Sequence, residues 1–313
     1  MMDKIDFTFG VLCYNQEDFI IEHLESIKYQ IENYGSKYNT HLIISDDCST
    51  DKTVAYAEVW IKNNYELFTS VRIMVQEHNQ GIVKNVTKIL RNIDTEKFKI
   101  LAGDDIYYKN NIFISNADND ITISKTIAFR DCAIESTKDD YNFLQLLLSE
   151  NPQALVKKYM EYYNCLEAPG VFFSNHLLDN GLYRSIEKYT WIEDVPMWKY
   201  LFAKKGIDVR VSNRIYVLYR DSVGISTDIN HSKRKGFLED LDRIKLEIFT
   251  KDKFPYKNLH RLEVSLRKKC INKKDNRVKE FYDELSRVND EGNVYLKIIS
   301  TSASEFKKNN LLL

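Results

Sequence analysis

The sequence predicts an α/β fold: a doubly wound, mostly parallel sheet flanked by helices, with a helical appendage at the C-terminal end. Three observations predict it. Short apolar runs rich in β-branched and aromatic residues recur along the first hundred residues, the pattern of strands buried on both faces. Stretches with apolar residues at helical spacing lie between them. Polar and acidic residues come directly after each apolar run, where open α/β sheets bind their ligands.

The first element is "FTFGVLC" (7–13), which predicts a strand, and Ile20, Leu24, Ile27 and Ile31 predict a helix after it, with Asn15 as its cap. "HLIISDD" (41–47) predicts a second strand. A helix comes next, with Ser49 or Thr50 at its start and Val54, Ala57 and Ile61 on one face. "VRIMVQ" (71–76), a helix over 81–93 and "FKILA" (98–102) complete a β-α-β-α-β-α-β series. From 110 to 190 the pattern loosens. "TIAFR" (126–130) and the alternating segment 206–220 predict strands, and two helices are expected on either side of Pro152. From 233 onward the expectation is helices over 237–249, 259–274 and 277–288. The expected division is a main domain over 1–228, split into a nucleotide-binding half (1–110) and an acceptor half (111–228), and a helical region over 229–313.

Composition narrows the function classes. The 313 residues are 43% hydrophobic and 29% charged, with 4 prolines and 10 glycines, which describes a soluble globular chain without long disordered linkers. The net charge of −1 gives no global affinity for nucleic acid. The charge is uneven: residues 233–280 hold 16 Lys/Arg against 8 Asp/Glu. That stretch is expected either to touch an anionic membrane surface or lipid-linked acceptor, or to be a solvated appendage packing a homodimer. The five cysteines (Cys13, Cys48, Cys132, Cys165 and Cys270) are scattered, with no C-x-x-C pair, as in reduced cytosolic proteins. No signal peptide and no run of eighteen apolar residues is found. The expected location is cytoplasmic, with peripheral contact at the inner face of the plasma membrane. The P-loop, the G-x-G-x-x-G fingerprint after the first strand, the G-x-S-x-G elbow and H-E-x-x-H are all absent.

Carboxylates remain. "GDD" (103–105) ends the fourth strand, and Asp104 and Asp105 suit a hard divalent cation, Mg²⁺ or Mn²⁺, that bridges protein to substrate phosphates. A solvated turn is the competing reading of that tripeptide alone. Asp46 and Asp47 either favour a helix N-terminus or accept hydrogen bonds from a base or a ribose. Asn79 and Gly81 form a turn signal past the third strand, and Lys84 lies one turn into the next helix, within reach of a phosphate or simply at the surface. Glu193 and Asp194 either cap the helix that holds Pro196, or act as a general base toward an acceptor hydroxyl.

Seven stretches carry a resemblance: "VLCYNQEDFIIEHLESI", "IISDDCSTDKT", "EHNQGIVKN", "ILAGDDIYY", "APGVFF", "WIEDVPMWKYLFAKKG" and "YRDSVGIS". In this order over residues 5–227 they resemble the family 2 glycosyltransferases with the GT-A fold. The non-processive bacterial type fits best, because no Q-x-x-R-W segment is found after them. The resemblance implies a nucleotide-diphosphate sugar as donor, a UDP-sugar first among them. It implies Asp46, Asp47, Tyr14 and Glu17 at the base and ribose, and Asp104 and Asp105 at the D-x-D-type position for ribose and cation. Asn79, Gly81 and Lys84 join this donor side. Asp194, assisted by Glu193, stands at the position of the catalytic base of an inverting transfer to a glycan or lipid-linked saccharide, with surface polysaccharide synthesis as the expected setting. Ala102 departs from the pattern, since many members carry an acidic residue there. Two other readings compete: a sugar-phosphate nucleotidyltransferase, disfavoured by the lack of a Gly-rich loop after the first strand, and a non-catalytic sugar-nucleotide scaffold with a decayed site.

Overall fold

A computed structural model describes residues 4–115, 118–135, 140–221, 234–269 and 271–311. Its centre is a four-stranded parallel sheet of β1 (Ile5–Cys13), β2 (Tyr38–Asp46), β3 (Ser70–Val75) and β4 (Lys97–Ala102), in the order β3-β2-β1-β4. Register aligns the strand ends: Cys13 lies opposite Asp46, Asp46 opposite Val75, and Leu12 opposite Ala102.

Alternation explains the layers. Phe7, Phe9 and Val11 point to one face, where α1 (Ile20–Tyr34) and α2 (Thr53–Asn63) bring Leu24, Ile27, Ala57 and Trp60. Leu12, Ile43 and Phe98 point to the other face, against Val83, Val86 and Ile89 of α3 (Ile82–Leu90). Helices on both faces make the sheet doubly wound, as expected. Two helix starts differ from expectation. The residue before α1 is Phe19, with no side-chain cap, and α2 begins after Lys52. Asn15 and Ser49 instead bond to each other's loops, a long-range contact that local capping rules do not see.

Past β4 the chain forms β5 (Ile106–Tyr107), β6 (Ile121–Ile123), β7 (Ile127–Arg130) and β8 (Ala133–Ile134), then α4 (Tyr141–Leu148) and α5 (Pro152–Tyr159), broken at Pro152 as expected. Next come β9 (Val171–Phe173), α6 (Asn180–Ile186), α7 (Asp194–Ala203), β10 (Val209–Val211) and β11 (Val217–Arg220). These strands make two small mixed sheets, β10-β6-β9 and β5-β11-β7-β8.

The C-terminal region holds α8 (Arg234–Glu247), α9 (Tyr256–Lys269) and α10 (Asn276–Asn310). The last is 35 residues long and runs well beyond the 277–288 segment read from periodicity. Its buried residues Val278, Phe281, Leu285, Val288, Tyr295, Leu296, Ile299 and Ala303 keep one face against the body. Tyr295 donates from its hydroxyl to the Tyr107 carbonyl (2.7 Å), and Ser302 donates to Glu25 (2.5 Å). The buried Glu284 carboxylate accepts from Asn110 (2.6 Å), from the Ile215 amide (3.1 Å) and from Arg214 (3.1 Å). Charge pairing and packing thus tie α10 to both preceding parts of the chain. The expected boundary at 228/229 and the "SVGIS" end of the last motif lie outside the described residues.

Candidate active site

Strand order locates the site. Chain direction around the sheet reverses between β1 and β4, so the loops after these two strands diverge and open a crevice. Tyr14 comes directly after β1, and Asp104 and Asp105 directly after β4. The last residue of β2, Asp46, and the loops after β2 and β3 with Asp47, Asn79 and Gly81 lie along the same edge.

On the β2 side the carboxylates are already engaged. Asp46 accepts from the Ser49 amide (2.7 Å) and the Ser49 hydroxyl (2.5 Å). Asp47, buried, accepts from the Gln76 side chain (3.0 Å) and from the amides of Gln80 (2.7 Å) and Gly81 (2.8 Å), while its carbonyl accepts from Asn79 (3.1 Å). Asp47 therefore braces the turn before α3. Gly81 sits at φ +88°, and a Cβ there would stand 2.9 Å from the Thr190 carbonyl, so a glycine is required twice over. Asn15, at φ 49°, accepts from the Thr50 amide (2.8 Å) and donates its own amide to Ser49 (2.8 Å). Glu17 accepts from the Lys52 amide (2.9 Å), and its amide donates to Asp51 (3.0 Å). Half-buried Tyr14 lies beside these crosslinked loops. Lys84 faces Glu187 at 3.7 Å, the surface alternative of its two sequence readings.

On the β4 side, Asp105 is 2% exposed and Asp104 half-buried. Burial raises the Asp104 pKa; Arg220 and a hydrogen bond from Gln16 hold it back. Asp105 is raised well above the usual carboxylate value, first by burial and then by the Asp104 charge. Arg220 organises the pair: its amide donates to Asp105 (2.9 Å), its Nε to the Asp104 carbonyl (2.8 Å) and its Nη2 to Glu22 (2.6 Å). The guanidinium lies 4.5 Å from both the Phe19 and Phe129 ring centroids. His23 donates from Nδ1 to the Asp105 carbonyl (2.8 Å); burial lowers its pKa to about 4, so the ring is neutral. Lys99 lies buried near Asp105 and donates to the Val171 carbonyl (2.7 Å); burial lowers its pKa to about 7.

Asp104 and Asp105 are the oxygen donors present for a divalent cation. Among the described residues no group of three or more His, Cys, Asp or Glu side chains converges on a metal position, and Ala102 supplies no ligand. Two carboxylates still fit Mg²⁺ or Mn²⁺, which keep waters and take other oxygens from substrate phosphates. The raised pKa values give the same sense, because a cation beside these carboxylates would relieve their repulsion.

Across the crevice, α7 opens with the second acidic pair. Glu193 precedes the helix without a side-chain cap bond. Asp194 accepts from the Val195 amide (2.7 Å) and from Asn164 Nδ2 (3.0 Å). Burial, then the Asp194 charge, raises Glu193 to about 8; burial also raises Asp194, against the pull of Val195 and Asn164. The loop before them is held from the C-terminal region: buried Asp240 of α8 accepts from the amides of Thr190 and Trp191, both at 2.7 Å.

One cavity of about 1560 Å³ joins these groups, lined by Lys99, Asp105, Asn164, Glu193, Asp194 and Trp198 among others. It exceeds the roughly 300–1,000 Å³ of a typical small-molecule pocket, which leaves space for two substrates. The loops bearing Tyr14, Asp46 and Asp47 share the sheet edge but do not line this cavity. Lys99, Asn164, Arg220 and Asp240 escape a reading of the sequence alone. Each acts on a residue thirty or more positions away, and a lone Lys, Asn, Arg or Asp carries no motif that announces such a contact.

Comparisons with known proteins bear on the fold that carries these residues. The glycosyl transferase family 2 model matches residues 8–116. No curated protein sequence matches the chain. In fold the chain is similar to the 1–349 fragment of S. aureus TarS (18% identity, 88% of this chain and 74% of that one, TM-score 0.53). The complex of that fragment with UDP-GlcNAc is similar to the same degree (19%, 87% and 74%, TM-score 0.53). So is the mannosyltransferase PcManGT from Pyrobaculum calidifontis in complex with GDP-Man and Mn²⁺ (14%, 98% and 81%, TM-score 0.52). The chain spans 45% of the longer S. aureus TarS structure. At these identities the solved structures speak for the fold alone. Residues 8–116 thus match the glycosyl transferase family 2 model, in a chain whose overall fold is similar to those of TarS and PcManGT.

Proposed function

We propose that this chain is an inverting glycosyltransferase that moves one sugar from a nucleotide-diphosphate sugar, a UDP-sugar first among candidates, to a saccharide or lipid-linked saccharide acceptor. The observation that carries the reading is a single cavity lined by Asp105, past the end of β4, and by the acidic pair Glu193 and Asp194 at the start of α7. In this reading Asp46, Asp47, Tyr14 and Glu17 form the base and ribose side, and Asn79, Gly81 and Lys84 border it. Asp46 and Asp47 serve it through the loops they brace as well as through their carboxylate oxygens. Asp104 and Asp105 would hold Mn²⁺ or Mg²⁺, which supplies charge compensation for a departing diphosphate. Asp194 takes the proton from the acceptor hydroxyl. The acceptor oxygen then bonds to the anomeric carbon as the bond to the diphosphate breaks on the opposite face, which inverts the configuration. Glu193, still protonated near neutral pH, limits the negative charge beside the base.

The neighbours named in complex with UDP-GlcNAc and with GDP-Man and Mn²⁺ support a nucleotide-sugar donor. A melting-temperature screen with UDP, GDP, CMP and dTDP and their sugar conjugates, with and without Mn²⁺, tests this. A ligand that binds only the folded chain raises the midpoint by mass action. One diphosphate is expected to give a selective, Mn²⁺-dependent rise. The scaffold reading, which rests on Ala102, instead expects binding without metal dependence and without donor hydrolysis.

No helix among the described residues is long and apolar enough to cross a membrane. For the basic C-terminal stretch we propose peripheral contact with an anionic bilayer. α9 leaves Leu259, Leu262 and Leu266 exposed, with Phe254 and Tyr256 close by in sequence, and Lys253, Arg267 and Lys269 flank them. An apolar ridge bordered by cations matches such a surface. Sedimentation with phosphatidylglycerol vesicles at low salt is expected, and Leu262→Glu should abolish it. No sedimentation, together with a dimer dispersed by Leu262→Glu, would assign the ridge to a homodimer instead.

A further inference from the structure

The cavity that holds Asp105, Glu193 and Asp194 also has a chemically different end. Lys257, His260, Arg261, Val264, Ser265 and Lys268 all line it. Their spacing is that of one helical face, so α9 presents this face to the cleft along its length. Tyr141, Tyr162 and Tyr163 line the same cavity.

Two observations at this end point to a ligand. His260 is 6% exposed and stacks on Tyr162 with centroids 4.0 Å apart and planes at 9°, yet neither ring nitrogen has a hydrogen-bond partner. Burial lowers its pKa from 6.5, so the ring is neutral and offers one donor and one acceptor. A buried polar group left unpaired is costly, and its retention calls for a partner. The charges give the second observation. Glu135, Asp140 and Asp252 on the cavity wall each pair with a cation, Arg130 (3.4 Å), Lys125 (3.0 Å) and Lys257 (2.9 Å) respectively, and Glu167 pairs with Lys125 as well. Glu263, the carboxylate nearest His260, is held by Lys158 and Arg267. Arg261 and Lys268, in contrast, have no carboxylate within ion-pair distance among the described residues; the Lys268 ammonium sits 4.7 Å from the Tyr141 ring. Both are exposed at the rim.

We propose that this end of the cleft is an acceptor subsite for an anionic saccharide, a sugar bearing a phosphate ester or a carboxylate. Arg261 and Lys268 take the charge, His260 bonds sugar hydroxyls with both ring nitrogens, and the tyrosines form the apolar wall. This rests on the glycosyltransferase reading and adds the class of its acceptor. It also gives the basic face of α9 a role separate from that of its outer leucine ridge.

Titration calorimetry of the full chain, with and without UDP and Mn²⁺, tests it. The probes are glucose 6-phosphate, glucuronate, glucose and inorganic phosphate. One or both anionic sugars should bind more tightly than glucose and than phosphate, and which of them binds decides between ester and carboxylate. The Arg261→Gln/Lys268→Gln variant should weaken that binding by about tenfold or more and leave UDP binding unchanged. His260→Phe, which keeps the stack on Tyr162, should weaken it too. No binding of either anionic sugar, equal binding of glucose, equal binding of phosphate, or unchanged affinity in the double variant would each overturn the proposal. Loss of UDP binding in the unmodified chain, with anionic-sugar binding intact, would instead overturn the donor reading and leave the subsite standing.

Discussion

Asp194→Asn is expected to lower kcat by about 10²–10⁴-fold, the usual contribution of a positioned general base, while nucleotide-diphosphate binding stays intact. Asparagine fits the same space, and its oxygen can still accept from Val195, so the loss would report the missing base rather than a collapsed helix start. The neighbouring Glu193 adds a pH signature. The two carboxylates titrate as a coupled pair, and their second proton leaves near the value of about 8 that burial and the Asp194 charge impose on Glu193. Activity should rise as the pair loses its first proton and show a second inflection near 8. Glu193→Gln should remove that inflection. Stability obeys the same linkage. Glu193 binds its proton more tightly folded than unfolded, so its favourable contribution is complete below its ordinary value of 4.5 and is lost as pH rises toward 8. Urea unfolding at pH 5 and pH 9 should therefore show a smaller decline for Glu193→Gln than for the parent chain. Full activity in Asp194→Asn would remove Asp194 from the mechanism.

Asp105→Asn carries the second large effect. The Mn²⁺-dependent part of nucleotide-diphosphate binding should disappear, with no loss of melting temperature in the ligand-free chain at pH 8. The Asp105 carboxylate is 2% exposed, and its pKa stands well above the usual value because burial and Asp104 both oppose its charge. A raised carboxylate pKa means that the folded state favours the proton, so this group's contribution to stability is greatest at acid pH and falls as pH rises. Asparagine removes that charge and keeps an oxygen for the Arg220 amide. The change also takes a counter-charge from Lys99, but with a pKa of about 7 that amine is largely neutral at pH 8. A carboxylate kept at a stability cost is what a functional site looks like. An unchanged Mn²⁺ response in Asp105→Asn would remove it from the cation site.

Much of the fold is legible along the chain because it depends on near neighbours. The nearly continuous apolar run of residues 7–13 and the helical spacing from Ile20 to Ile31 declare a buried strand and an amphipathic helix without reference to anything distant. The break at Pro152 arises from the missing amide of proline. The four acidic candidates at the end of β4 and at the start of α7 are visible for the same reason: each pair sits at the boundary of a regular segment, one where a strand stops and the other where a helix begins. Asn15 and Ser49 mislead as helix starts because their polar groups bond across to each other's loops. Periodicity gives α10 too short a span because its later face is completed by Tyr29 and Glu25, residues some 270 positions away.

The sequence by itself determined the element types, the parallel sheet and the acidic residues offered at its edge. These rest on short continuous apolar runs, on a helical period of 3.6 residues and on the polar residues placed directly after each strand. Only the tertiary structure decided what those carboxylates do. It turned Asp47 inward to brace the Gly81 turn, set Arg220 behind Asp104 and Asp105, aimed Asn164 at Asp194, and laid the basic face of α9 over the far end of the cleft. The physical reason is that a side chain's pKa and hydrogen-bond partners depend on burial and on neighbours brought from distant parts of the chain, and no local pattern encodes either.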